Sequence, residues 1–543
     1  MEEPSKIELR VGTPSEGGGR YRTATLVALC LATAAEYWTS SGVSLVLTDL
    51  TGTLSASSDE ASWALTVYST AFAVSIALSH RLSHYFGNRR YLANSALLYA
   101  ITSVGCAFSV HLAPFLFFRA LQGFAGGVFL VRSFVFLSQQ YDPKSRSIAT
   151  TTYGISFFFI GRMISPVVCG WMADSISWRL LFGVPTLLMC VAALLFFRHT
   201  SDRWTDAQEP YRLDLLGVLL LVSGAGCIQA VLSRGEIDDW FGSPHIVVLL
   251  TIGIAANLAF LLWQVSPINA APLLDLNFLK TRAMYSAAVV GFALGILLAG
   301  SLYVIPQYLR NIESHSALQT GMLISLSGGA SVAILCSFGV ISALVVRVGA
   351  KTVLAFALVI EMVSQLLLAK HLTTDTPDYL LWVPLALNGV FIALSVPILG
   401  TAAFARLRSE EISSARAIYY GFRQFGASSG VTLAVVLIDH RMTLHSVRLF
   451  DNMFNRNLVS IGAAVDLSSG TATRALANAV RLQSSVLSFA DVFYVMAAFA
   501  GLTLLLVPLL PSLANVSPAV DGALVSTETT SSRSLTIARG DLI

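Results

Sequence analysis

The chain has 543 residues, of which 55% are hydrophobic and 12% charged. No soluble protein of this length could bury that much apolar surface and stay dispersed in water. The formal net charge of +3 is too small and too scattered to imply a nucleic-acid partner.

The first 22 residues, MEEPSKIELRVGTPSEGGGRYR, are polar and glycine-rich. They lack the apolar centre of a signal peptide and read as a disordered tail. Fourteen apolar stretches follow, each of about 18–25 residues, enough to cross a hydrocarbon core of roughly 30 Å as a helix. They fall at 26–47, 63–82, 91–110, 115–137, 148–172, 180–197, 215–232, 245–265, 285–305, 322–346, 351–369, 380–399, 417–438 and 492–510. The expected fold is therefore an all-α polytopic membrane protein. Its spans group as six, two and six: a first bundle over 23–200, a linker with spans 7 and 8 over 201–270, and a second bundle over 271–510. The second bundle is expected to include a long external loop at 439–490, and a Ser/Thr-rich tail fills 511–543. Two six-helix bundles suit alternating access, with a substrate site at their interface near the bilayer midplane.

Lysine and arginine cluster on one side, at Arg89 and Arg90, Lys144 and Arg146, Arg198, Arg203 and Arg212, and Arg406, Arg408 and Arg416. That side is expected to be cytoplasmic and to hold both termini. The six cysteines all lie inside apolar stretches and read as small hydrophobes.

Charges inside the spans need a reason, because each costs on the order of 3 kcal/mol at the bilayer centre. Glu36 sits mid-span 1 and suits a group that gains and loses a proton during transport; the other reading is a neutral structural acid. Arg132 either meets substrate or snorkels to the interface. Arg162, one turn before Pro166, is harder to dismiss. Two such cations argue against a cationic drug as main substrate and suit a carboxylate, a phosphate or a planar polar ring. Among nearby aromatics, Trp38 and Tyr153 share helices with these charges and are the favoured ligand contacts. Arg423 and Gln424 in span 13 add polar groups from the second bundle. Glu361, mid-span 11, reads as half of a structural pair whose partner is unnamed.

The segment FFRALQGFAGG, Phe117–Gly127, resembles the span-4 signature of the major facilitator superfamily. DEASWALTVYSTAF from Asp59, GFRQFGASSGV from Gly421 and SFADVFYVMAAF before span 14 resemble its fourteen-span drug:proton antiporters of the EmrB/QacA type. The resemblance implies the major facilitator fold, with fourteen helices as two six-helix bundles plus two extra central spans. It also implies a part in proton coupling for Arg119, and conformational roles for Gln122, Gly123, Gly87, Arg89, Arg90, Pro166 and Gly170. The chain departs from the pattern in three places. The loop between spans 2 and 3 reads SHRLSHYFGNRR, with His80 and His84 at signature positions. The span-5 signature has become SPVVCG, with Ser165 and Cys169 in place of glycines. The span-1 aspartate position falls on Thr39.

There is no phosphate-binding loop, zinc spacing or nucleophile elbow, so neither a cofactor nor enzymatic activity is expected. The expected protein is a secondary transporter in a bacterial inner membrane that moves an amphipathic polar or anionic small molecule, with protons as the coupling ion and export favoured. Uptake of a planar vitamin-like solute such as riboflavin is the alternative, and a non-transporting sensor or scaffold the third reading. A periplasmic adaptor protein is a candidate partner, docking on the 439–490 segment with its amphipathic stretch at Arg474–Leu487.

Overall fold

In the computed structural model the apolar stretches become helices: α1 (Gly17–Leu45), α2 (Leu47–Leu54), α3 (Ser58–Phe86), α4 (Asn88–Phe108) and α5 (Leu112–Gln140). Then come α6 (Pro143–Phe158), α7 (Ser165–Ser175), α8 (Gly183–His199), α9 (Leu215–Arg234), α10 (Pro244–Val265), α11 (Arg282–Asn311) and α12 (Ala317–Cys336). The last four are α13 (Ala350–His371), α14 (Asp378–Phe404), α15 (Ile412–Ile461) and α16 (Gly470–Leu506). The structure describes residues 17–510 except 142, 201–213, 236–237, 270–271, 275, 277–278, 280, 338–344, 346, 405–411 and 462–469. The tail at 511–543, most of the linker before α9 and the end of the expected span 10 lie outside the described residues. Thirteen described helical segments are long and apolar enough to cross a membrane. The remaining one, α1, is diluted by Glu36, Thr39, Ser40 and Ser41.

Local chemistry sets several helix starts. Ser57 accepts from the Glu60 backbone N–H, and the Glu60 carboxylate accepts from the Ser57 N–H. Ser316 and Gln319 repeat this reciprocal cap at the start of α12. Both caps stand on the far face, the one opposite the face where α1 begins.

Helices α1 and α3–α8 pack with one another, as do α11–α16, and the bundles meet where α3 lies on α15 and α7 on α12. The two extra helices pair with each other, and α9 covers the seam between α3 and α15 from outside. Gln229 pins it there by donating to Thr432 Oγ1 at 2.5 Å. Asp214 at the start of α9 accepts from Trp263, Gln264 and Asn269, which fixes the end of α10.

The hydrophobic effect does not drive helices together in lipid, so close backbone approach through small residues does much of the work. A Cβ on Gly123 would stand 2.3 Å from the Tyr68 carbonyl, one on Gly295 2.0 Å from that of Arg423, and one on Gly426 2.1 Å from that of Phe292. The contact between bundles is as close: a Cβ on Gly170 would stand 2.3 Å from the Ala317 carbonyl, one on Gly321 2.1 Å from that of Pro166, and one on Gly328 2.5 Å from that of Arg162.

Two expectations are corrected. The segment 439–490 is not a long loop: α15 runs on to Ile461 and α16 starts at Gly470. At about 1.5 Å per residue, the 50 residues of α15 extend about 75 Å, so much of the helix projects beyond a core of roughly 30 Å. The hairpin is clamped at its base, where His445 Nε2 lies 2.8 Å from Asp491 Oδ2 and Arg441 3.7 Å from it. The second correction concerns the amino-terminal tail, because α1 is already helical from Gly17.

Gly123→Val should lose folded protein, with an overpacking penalty of about 1–3 kcal/mol or more. Size-exclusion of detergent-solubilised protein and its melting temperature read this directly.

Candidate functional site

Pro166 has no N–H, so the Arg162 carbonyl lacks its usual donor one turn on. The chain between α6 and α7 relaxes into a π-helix over Phe159–Ile164, where the Ser165 N–H reaches back to the Ile160 carbonyl. This widened turn faces α12 and carries Arg162, which is only 5% exposed. Its Nη1 donates to the Tyr37 hydroxyl at 2.7 Å. Its Nη2 donates to Ser327 Oγ and Asn388 Oδ1, each at 3.1 Å. Tyr37 belongs to the first bundle, Ser327 and Asn388 to the second, so this one guanidinium ties the two. Phe157 stands edge-on to Tyr37 with centroids 4.6 Å apart.

Asn388 continues the chain of contacts. Its Nδ2 donates to both oxygens of Glu361, at 3.1 and 3.0 Å. Gln365 Nε2 donates to Glu361 Oε1 at 2.6 Å, and Ser301 Oγ at 3.4 Å. The partners that the sequence left unnamed for Glu361 are thus Asn388, Gln365 and Ser301.

A separate network surrounds Glu36 inside the first bundle. Its Oε1 accepts from the Tyr68 hydroxyl at 2.8 Å. The Arg119 guanidinium lies 4.1 Å from the Tyr68 ring centroid, and Arg119 donates to the Ala64 carbonyl at 3.2 Å and to Gln122 Oε1 at 2.6 Å. Gln122 in turn donates to Ser103 Oγ at 2.6 Å. Gly126 leaves the space that Glu36 fills, since a Cβ there would stand 3.2 Å from Glu36 Cγ. Arg119 meets Glu36 through the Tyr68 ring and hydroxyl.

The other expected residues divide. Arg423, half-buried, stands over the Tyr420 ring at 5.2 Å on α15, and Gln424 is half-buried beside it. Tyr153 meets Phe134 edge-on at 5.7 Å, and Phe134 stacks on Tyr420 at 5.6 Å, so this aromatic layer also crosses the seam. Pro166 and Gly170 lie on the α7–α12 contact. Gly87, at φ 76°, makes the turn between α3 and α4, with Arg89 and Arg90 exposed just after it. Two placements differ from expectation. Trp38 is 4% exposed in packed core, and its Nε1 donates to the Leu181 carbonyl at 3.1 Å. Arg132 donates to Asn88 at the start of α4, a residue of its own bundle. Ser327 and Asn388 do not stand out in sequence because neutral polar residues in spans are common, and Tyr37 is there one of several aromatics near Glu36, ranked below Trp38; their meeting at Arg162 gives them a role.

On the far face, Arg310 of α11 donates to both Asp49 oxygens at 2.7 Å and lies 4.0 Å from Asp174. Asp174, ending α7, accepts from the Ala317 and Leu318 N–H groups at the start of α12, at 3.0 and 2.7 Å. Gln307 donates to the Ser44 carbonyl at 3.3 Å. Burial pushes the Asp49 carboxyl above its ordinary range, and Arg310 pulls it part of the way back.

A family model described as Major Facilitator Superfamily matches residues 29–431. Probable multidrug resistance protein EmrY of Escherichia coli (strain K12) is 26% identical over 507 residues, covering 91% of this chain and 96% of the relative. Fatty acid resistance protein FarB of Neisseria gonorrhoeae is 23% identical over 454 residues, covering 82% and 87%. Among solved structures, the human organic anion transporter MFSD10 superposes with a TM-score of 0.57 over 91% of this chain and 100% of its own. At 14% identity that likeness shows the fold alone.

Arg310→Ala removes the ion pairs that join the bundles on the far face. A membrane-impermeant thiol reagent should label Ser44→Cys severalfold faster in that variant, in a background freed of native cysteines. Acidifying the far side should have the opposite effect and slow that labelling, because the closed state holds the Asp49 carboxyl above its ordinary range and takes up the proton more readily than an open, hydrated one.

Proposed function

Because the chain belongs to the major facilitator superfamily, we propose that it is a proton-driven exporter of an amphipathic small molecule bearing an anionic or strongly polar group. The observation that carries this reading is Arg162 at the meeting of the bundles, with its Nε buried and without a hydrogen-bond partner. A guanidinium so placed can hold a carboxylate or phosphate bidentately, and the charge disfavours a cationic substrate. Export is supported by the resistance functions in the names of relatives, and the fatty acid in one of those names is an amphipathic carboxylate.

Glu36 is the proposed proton carrier. It lies beside a guanidinium shielded by the Tyr68 ring, so gain or loss of a proton changes the balance of charge within the first bundle. Substrate and proton then compete for one conformational cycle in which the seam opens alternately to the two faces. The near face, where α1 begins, is the cytoplasmic side in this reading, the membrane is a bacterial inner membrane, and both termini are cytoplasmic. The α15–α16 hairpin then projects into the periplasm, where an adaptor protein would dock. The aromatic pair Tyr37 and Phe157 beside Arg162 favours one alternative, uptake of a planar solute of the riboflavin kind.

The test uses cells without their own efflux pumps or flavin uptake. Expression should raise tolerance to laurate, and Glu36→Gln and Arg162→Ala should each return it to background while folded protein stays in the membrane. Protonophore-sensitive loss of cellular ethidium would instead make this a cation exporter. A rise in cellular riboflavin would make it an importer. Unchanged laurate tolerance in both variants would remove the assigned site.

A further inference from the structure

Glu361 is fully buried in the second bundle, as the proposed proton carrier Glu36 is set within the first. The hydrogen-bond directions around Glu361 are constrained. Arginine only donates, so the Asn388 oxygen must face Arg162 and its NH2 must face Glu361. Ser327 adds a second donor to that oxygen at 3.2 Å. Glu361 therefore receives N–H groups from Asn388 and Gln365 and the Ser301 hydroxyl, a shell suited to a carboxylate.

A purely structural carboxylate would need nothing more, but the shell also holds an idle acceptor. Gln365 Oε1 is buried without a hydrogen-bond partner, on the very amide whose nitrogen serves Glu361. Rotating that amide brings an acceptor to the acid, so the site has a partner ready for the O–H of a protonated Glu361. The same acid is one amide away from the Arg162 guanidinium. With Glu361 ionised the two charges offset each other through Asn388. With Glu361 protonated, Arg162 is left as a buried cation with capacity for an anion.

The groups around Glu361 leave Arg162 as the charge that bears on it. From α14 it meets Asn388, and from α11 Ser301, with Tyr303 two residues further on. Of the titratable residues nearest on α16, Asp491 is committed to His445 and Tyr494 is 49% exposed. Across the seam stand Arg162 and Tyr37.

We propose that Glu361 is a second proton-binding residue, the counterpart of Glu36 in the second bundle, and that a proton on it frees Arg162 to hold the anionic group of the substrate. This rests on the reading of Arg162 as a substrate contact for the coupling, though not for the proton site itself. No bond other than the carboxyl O–H is made or broken. The proton comes from bulk water on one face and returns to it on the other.

Infrared difference spectra of the purified protein in lipid, recorded between acidic and alkaline buffer without substrate, read carboxyl protonation directly. Among the protonated-carboxyl C=O bands of the wild type, one should be absent in Glu36→Gln and another in Glu361→Gln. Asn388→Ala keeps the carboxyl, cuts its link to Arg162, and should move the pH at which the Glu361 band appears. If Glu361→Gln does not fold, this variant alone decides. A spectrum unchanged by Glu361→Gln, or a band unmoved by Asn388→Ala, overturns the proposal. If both bands behave as expected yet laurate tolerance fails, the proton site stands and the substrate reading falls.

Discussion

An arginine in hydrocarbon must find its hydrogen bonds and its balancing charge within the protein, because no water is there to supply either. Three of this chain's arginines meet that demand in different ways. Arg132 is tied to Asn88 where α4 begins. Arg119 is held by Ala64 and Gln122 and lies over Tyr68, whose hydroxyl serves Glu36. Arg162 takes its partners from both bundles. Its hydrogen bonds therefore exist only in states where the bundles close at that depth, which makes it sensitive to the cycle.

Two kinds of contact hold the bundles together around that residue. One is the close backbone approach between the Arg162–Gly170 segment and α12, possible because Gly170, Gly321 and Gly328 bear no side chains. The π-helix belongs to the same arrangement: Pro166 withdraws a donor, the turn widens, and the freed Arg162 carbonyl lies against Gly328. The other kind is polar and concentrated on the far face, where Arg310 joins Asp49 and Asp174 caps α12. Near the opposite end Phe134 of the first bundle meets the Tyr420 ring and the Arg416 guanidinium of the second.

The extra pair α9 and α10 lies outside this machinery. It seals the α3–α15 seam from the lipid side through Gln229 and leaves the α7–α12 contact to the two bundles alone. The described hairpin of α15 and α16 is likewise an addition to the two-bundle core, rigid at its base through Asp491.

Much of the architecture was legible from residue order. Apolar runs of bilayer length are self-announcing, since each helix satisfies its own backbone whatever its neighbours do, and that is why the spans and the six-two-six grouping follow from the chain. Capping at Ser57 and Ser316 is equally local. Rare charges were legible as well, because Glu36, Arg119 and Arg162 stand out against lipid-facing sequence. Hydropathy has no such contrast outside the membrane, so the helical hairpin beyond α15 looked like a loop. The sequence could not say which polar groups meet. Arg132 and Arg162 look alike in the chain, yet one serves its own bundle and the other spans the seam. Trp38 is a stronger ligand candidate on paper than Tyr37, but its N–H is spent on Leu181. Glu361 had no visible partner because Asn388 is 27 residues away and Arg162 lies in the other bundle. Helix spacing determines which residues share a face, but pairing across helices depends on rotation and crossing, and only the packed structure decides those.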